Sequence, residues 1–203
     1  MADTLVVNEI YLSLQGESTF TGLPCVFVRL TGCDLRCSWC DSAYAFVGGD
    51  KMTLDEIQSE IVAQAEGYPK PPLVQLTGGE PLLQKETPTL MNALCDSGYT
   101  VLLETSGAHD RTDIDPRVHR IVDLKCPASG EHERNHWQNL PRLRMTDEVK
   151  CVIATHEDYA WIKKQLHRLN GQCPVLFSWA EPLTDNQKDD SLKSVPSDHT
   201  PIT

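Results

Sequence analysis

The chain has 203 residues, 40% hydrophobic and 23% charged, with 29 acidic against 18 basic side chains and a formal net charge of −11. That length holds one full core or a single α/β unit, and the acidic balance excludes a protein that grips a nucleic-acid backbone over a wide face. No apolar run approaches the roughly 20 residues of a membrane span, so a small-molecule substrate and no direct nucleic-acid or membrane partner are expected.

The opening Met1-Ala2-Asp3-Thr4 lacks the basic region and apolar core of an export signal, so a cytoplasmic protein is expected. Leu5–Leu12 has strand character and leads into Leu14-Gln15-Gly16-Glu17. Cys25–Leu30 is a second strand, in which Phe27 and Arg29 share one face and Val26, Val28 and Leu30 the other. Thr53-Leu54-Asp55-Glu56 forms a capping box for a helix carrying Leu54, Ile57, Ile61 and Ala65 on one face. Leu73–Leu76 is a short apolar strand ending in Thr77-Gly78-Gly79-Glu80-Pro81, and a helix from Thr87-Pro88 is closed by Gly98.

Tyr99–Glu104, Ile121–Leu124, Glu148–Ala154 and Pro174–Phe177 are further strands. A helix from about His156 to Leu169 aligns Ile162, Leu166 and Leu169. Alternation of this kind predicts an α/β fold of parallel strands with outer helices. About six βα units fall short of a closed eight-fold barrel, so an incomplete, TIM-like barrel is expected, with its site at the C-terminal ends of the strands. Residues 1–180 form this core, and the polar stretch from Glu181 to Thr203 reads as a poorly ordered tail.

Cys33, Cys37 and Cys40 form a C-x3-C-x2-C loop directly after the second strand. A structural zinc site wants four ligands and would recruit a distant cysteine or histidine. Three thiolates around a 4Fe-4S cluster instead leave one iron open to a ligand. The other five of the eight cysteines are scattered and read as buried small hydrophobes. Thr77–Pro81, Glu104–Gly107 and Lys125–Gly130 are turns that also follow strands, where glycine permits close backbone approach. Arg29 needs an anion if buried: an internal carboxylate or a ligand's.

The cysteine loop, including the aromatic Trp39, and Gly78-Gly79-Glu80 resemble the radical S-adenosylmethionine superfamily. Asn8-Glu9-Ile10, Leu14–Glu17, Phe27–Cys33, Cys40-Asp41-Ser42, Leu76–Pro81, Glu104–Gly107 and Asp123–Pro127 together resemble the 7-carboxy-7-deazaguanine synthase family from about Glu9 to Ser178. The resemblance implies a lyase that contracts the ring of 6-carboxy-5,6,7,8-tetrahydropterin, with loss of ammonia, on the route to queuosine-type tRNA bases. It implies a 4Fe-4S cluster on Cys33, Cys37 and Cys40, and S-adenosylmethionine on Trp39, Cys40, Asp41, Gly79, Ser106, Lys125, Cys126 and Pro127. It also implies Mg2+ on Ser42, and pterin on Leu14, Gln15, Gly16, Arg29, Thr77 and Glu104. An electron donor such as flavodoxin and a homodimer follow from the same likeness. Ser42 and Ser18 depart from the usual threonine and glycine, and Trp179–Thr203 departs from the usual ending. A glycyl-radical-enzyme activating protein and a non-catalytic member are the competing readings.

Overall fold

The computed structural model describes residues 3–68, 70–110, 114–169, 171 and 173–198. The last residues of the expected tail, 199–203, lie outside the described residues. The chain divides into two compact units.

The first unit comprises Met1–Cys33, Ala45–Thr105 and Thr112–Arg120. Its strands are β1 (Thr4–Leu14), β2 (Pro24–Leu30), β3 (Asp50–Thr53), β4 (Leu73–Gly78) and β5 (Val101–Thr105), in the sheet order β3-β1-β2-β4-β5. β2, β4 and β5 run parallel, as the alternating pattern implies. β1 is antiparallel to both β2 and β3, which period-2 patterning cannot distinguish from a parallel arrangement. The register of β1 against β2 shifts between Val7 and Glu9. Two helices cover this sheet. α1 (Leu54–Gln64) starts on the Thr53 capping box, with Ile57 and Ile61 fully buried. Each isoleucine contributes about 2 kcal/mol of burial free energy. α2 (Thr87–Asp96) has proline in its first turn, and Gly98 past its end has a φ of +87°, in the left-handed region open to glycine. Leu30, Ile57, Leu76, Leu90, Met91 and Leu103 lie in the resulting core.

The second unit comprises Asp34–Tyr44, Ser106–Arg111 and Ile121–Thr203. Here β6 (His119–Asp123, of which Ile121 onward belongs to this unit), β7 (Glu148–Ile153) and β8 (Val175–Trp179) are parallel neighbours. α3 (His156–Gln165) begins on a second capping box, between Thr155 and Asp158, and its last turn tightens into a 3₁₀ segment, Leu166–Leu169. Buried Asp158 also accepts the Ala128 N–H at 2.9 Å, tying the helix start to the loop after β6. Where another helix would complete a βα unit after β6, Trp137–Arg142 is only a 3₁₀ segment, with Pro141 unable to donate to a longer ladder.

The fold class is thus the expected one, an open, mostly parallel α/β sheet. Among the described residues β3 pairs only with β1 and β8 only with β7.

Candidate active site

In the first unit, the end of β4 and the end of β5 carry a polar chain. Side chains two apart on a strand share a face, so Gln75 and Thr77 project together. Gln75 Nε2 donates to Glu104 Oε2 at 2.8 Å, and Thr77 Oγ1 donates to the same oxygen at 3.2 Å. Gln15 Nε2 donates in turn to Gln75 Oε1. Three residues proposed from sequence, Gln15, Thr77 and Glu104, are therefore brought together through Gln75, which sequence reasoning missed. The period-2 relation to Thr77 was the signal for it. Gln15 and Thr77 are buried and Glu104 half-buried, whereas Leu14 and Gly16 flank Gln15 with their surfaces exposed.

Arg29 lies opposite Glu9 across the antiparallel pair, and Phe27 lies opposite Tyr11. Arg29 Nε donates to Glu9 Oε1 at 2.7 Å, and Nη2 donates to the Tyr11 hydroxyl at 3.2 Å. Tyr11 stacks on Phe27 with ring centroids 5.2 Å apart. The internal ion pair considered for Arg29 is thus realised, and it aims the guanidinium.

Gly78 and Gly79 run hard against the end of β2. Gly79 N–H donates to the Leu30 carbonyl at 3.1 Å, and Glu80 N–H donates to the Gly32 carbonyl at 2.8 Å. A Cβ on Gly78 would lie 2.6 Å from the Leu30 nitrogen, and Gly78 has a φ of +139°. Glu80 itself is fully buried. It accepts the Thr105 hydroxyl on both oxygens, at 2.7 and 2.8 Å, and the Leu82 N–H at 3.0 Å. Its carboxylate therefore fixes the turn from within, beneath the two half-buried glycines.

The second unit holds the rest of the cysteine loop. Cys40 N–H donates to the Cys37 carbonyl at 3.2 Å, closing a tight turn. Ser38 fastens that turn to the loop after β6, through its N–H to the Ser129 carbonyl and its hydroxyl to the Ala128 carbonyl at 2.7 Å. Trp39 is half-buried against the core formed by Leu124, Cys126 and Leu140, so its ring is a wall of the loop. Asp41 is exposed, and the Ser42 hydroxyl lies 3.9 Å from the Cys40 sulfur. Asp34 pairs with His109 at 3.2 Å and Arg134 at 2.6 Å. Burial alone would raise the Asp34 carboxyl, but these two partners outweigh it and hold it below its ordinary value.

Lys125 is pinned at its backbone by Asn135, which accepts its N–H at 3.0 Å and donates to its carbonyl at 2.9 Å. Its ammonium sits 2.8 Å from Asp123 Oδ2. Burial would lower the Lys125 ammonium, yet Asp123 and then Cys37 outweigh it and hold it above the ordinary lysine value. The Cys126 thiol is directed into the core, and its carbonyl accepts both the N–H of Ser129 at 3.0 Å and its hydroxyl at 2.6 Å, which fixes the turn that follows Lys125. Ser106 is buried, and its hydroxyl accepts the Ala108 N–H at 3.4 Å. The following Gly107 carbonyl is held by His136 N–H at 3.0 Å and the Asn139 amide at 3.3 Å.

The radical SAM superfamily pattern matches residues 27–127, the stretch that carries the cysteines, the glycine pair and Lys125. The chain is 51% identical over 176 residues to the 7-carboxy-7-deazaguanine synthase of Koribacter versatilis, covering 85% of this chain and 76% of that protein. The chain belongs to the 7-carboxy-7-deazaguanine synthase family. The Chlorobaculum tepidum member is 44% identical over 179 residues, with 85% of this chain and 79% of that protein covered. Among solved structures, QueE from Escherichia coli superposes with a TM-score of 0.71 at 26% identity, over 90% of this chain and 85% of that one. Streptococcus suis SuiB, at 14% identity and a TM-score of 0.59, covers 81% of this chain and 40% of that one, and shares the fold.

Membership of the radical SAM superfamily implies a 4Fe-4S cluster and S-adenosylmethionine, and the donor set of this 7-carboxy-7-deazaguanine synthase family member fits both. Among the described residues no cysteine is held in a disulfide. Burial pushes the Cys25 thiol up to about 12, and raises Cys126 and Cys151 further, so these three are neutral core groups and poor ligands. Among the described residues no three His, Cys, Asp or Glu side chains converge as they would on a single metal ion. Cluster cysteines each hold a different iron and need only surround a larger body. For the cofactor, Asp123 Oδ1 is a buried acceptor with no donor among the described residues. A bound amino or hydroxyl group would supply one.

Proposed function

We propose that the chain converts 6-carboxy-5,6,7,8-tetrahydropterin to 7-carboxy-7-deazaguanine with loss of ammonia, in the synthesis of queuosine-type 7-deazapurine tRNA bases. The observation that carries this reading is the Gln15–Gln75–Glu104–Thr77 chain. A half-buried carboxylate beside an amide suits the paired N–H donors and the acceptor on a pterin's amino-oxo edge. Arg29, aimed by Glu9 and Tyr11, suits the substrate carboxylate, and Leu14, Gly16 and Thr77 complete the pterin contacts.

The cluster on Cys33, Cys37 and Cys40, with S-adenosylmethionine, supplies one-electron cleavage that generates a hydrogen-abstracting radical. The protein's part is to hold and orient. Gly79 offers backbone close to Cys33, while Trp39, Cys40 and Asp41 would border the cofactor. Ser106, with Lys125, Cys126 and Pro127, would hold its amino-acid and ribose parts. Lys125, paired with Asp123, keeps a fixed positive charge beside Cys37. Ser42 supplies a hard oxygen to Mg2+, the ion that suits an oxygen-rich, partly hydrated shell. A homodimer, an electron donor such as flavodoxin and a cytoplasmic location complete the reading. No described helix is long and apolar enough to cross a membrane.

The test is anaerobic reconstitution with iron and sulfide, then incubation with S-adenosylmethionine, dithionite, Mg2+ and 6-carboxytetrahydropterin. 7-Carboxy-7-deazaguanine is expected by mass. 5′-Deoxyadenosine without that product would overturn the substrate assignment while leaving the radical core standing.

A further inference from the structure

The C-terminal segment returns to the cysteine loop. Lys193 N–H donates to the Arg36 carbonyl at 2.9 Å, one residue before Cys37. On its other side Arg36 donates its own N–H to Glu131 Oε1 at 2.7 Å. Glu131 is buried, and its second oxygen lies 3.1 Å from the Lys193 ammonium, which also donates to the Gly130 carbonyl at 2.6 Å. A Cβ on Gly130 would lie 2.6 Å from Lys193 Cδ, so the glycine leaves the lysine stem room to pass. Both backbone polar groups of Arg36 are therefore committed to a single buried-carboxylate and lysine pair.

We infer that Lys193 and Glu131 are positioning residues for the cluster. Residues 181–198 then form a strap that fixes the Arg36–Cys37 peptide and so the direction of the Cys37 thiolate. The inference rests on the assignment of the cluster to this loop. A flexible cysteine loop must be ordered before it can hold three irons, and each ordered backbone residue costs on the order of 1 kcal/mol or more. A lysine ammonium on a buried carboxylate is a charge-assisted contact that lowers this cost in advance. Lys193 is itself about half exposed, which moderates its contribution. Other side chains hold neighbouring points of the same loop, Asp34 through Arg134 and Ser38 through Ala128, so the strap acts on one peptide and not on the whole loop.

The full-length chain is compared with Lys193→Ala, Lys193→Arg and Glu131→Gln variants, with Lys188→Ala as a control. Lys188 pairs with Asp185 on the same segment. Two readouts separate this inference from the cluster assignment. In the reconstituted protein, loss of the cluster's visible absorbance to an iron chelator is expected to be about fivefold faster in Lys193→Ala and Glu131→Gln. It is expected to be near native in Lys193→Arg and Lys188→Ala. In the same proteins before iron is added, trypsin cleavage after Arg36 is expected to rise by a similar factor, with the thermal midpoint unchanged. A loss of fold would accelerate cleavage at every site, so the Arg36 rate is taken relative to the others. Native-like cleavage after Arg36 in both Lys193→Ala and Glu131→Gln would overturn the strap even if the cluster forms. Selective cleavage there would uphold the strap even if no cluster assembled on the cysteines.

Discussion

A Cβ on Gly79 would come within 2.9 Å of the Cβ of Cys33 and would collide with the carbonyl oxygen of Gly32. The glycine is thus required by the backbone that delivers the first cysteine, independently of any cofactor. Gly79→Ala is expected to push the Gly32–Cys33 peptide aside and to lower S-adenosylmethionine affinity at least about tenfold. Iron and sulfide content after reconstitution should fall in parallel. Native iron content and cofactor affinity in this variant would show that the contact is slack.

Glu104 accepts from Gln75 and Thr77 with the same oxygen. Glu104→Gln keeps the shape and removes the charge. Charged hydrogen bonds are worth roughly 2 kcal/mol, so pterin affinity should drop about thirtyfold. Cofactor affinity should not change. Calorimetric titration of each ligand separately makes the distinction, and an equal loss of both would point to a general collapse of the strand ends.

Ser42 places a hydroxyl near Cys40 with one fewer methyl than threonine would. The missing branch leaves χ1 freer. Ser42→Thr is expected to lower the Mg2+ concentration for half-maximal turnover by roughly threefold, the effect of restricting one rotamer. Ser42→Ala should raise it further above the native value. Identical Mg2+ dependence in all three proteins would overturn the proposed role of Ser42 toward Mg2+.

The parallel strands, the Thr53 capping box, the glycine past α2 and the placement of the motifs at strand ends were legible because each depends on local pattern, whereas the Thr155–Asp158 cap of α3 was not read. The Glu9–Arg29 pair was not, because it needs the antiparallel register of β1 on β2, and alternation is identical for either direction. β3 was missed for a related reason: Asp50-Lys51-Met52-Thr53 contains no apolar run to mark a strand. Gln75 was concealed by its type, since an amide in an otherwise apolar strand announces a partner without naming it. The contacts of Lys193 with Arg36 and Glu131 join residues far apart in sequence. Neither the polar composition nor the prolines of that segment specify them.

Cys25 offers a test of the core that avoids the cofactors. It is fully buried at the start of β2, and burial, only partly offset by the hydrogen bond with the Gln75 backbone, moves its thiol from 9.0 to about 12. Below pH 9 the thiol is protonated in both states, and its contribution to stability is fully present. Between about 9 and about 12 the unfolded chain releases this proton while the folded one retains it, so stability falls as pH rises. The slope for one such group is about 1.4 kcal/mol per pH unit at most. The unfolding free energy from urea titrations should therefore fall further between pH 8 and pH 10 for the native chain than for Cys25→Ala, by about 1 kcal/mol. Cys126 and Cys151 titrate in the same direction in both proteins and cancel from the comparison. Equal slopes would mean that water reaches the Cys25 thiolate in the folded sheet, and that the lower half of β2 opens more readily than its burial implies.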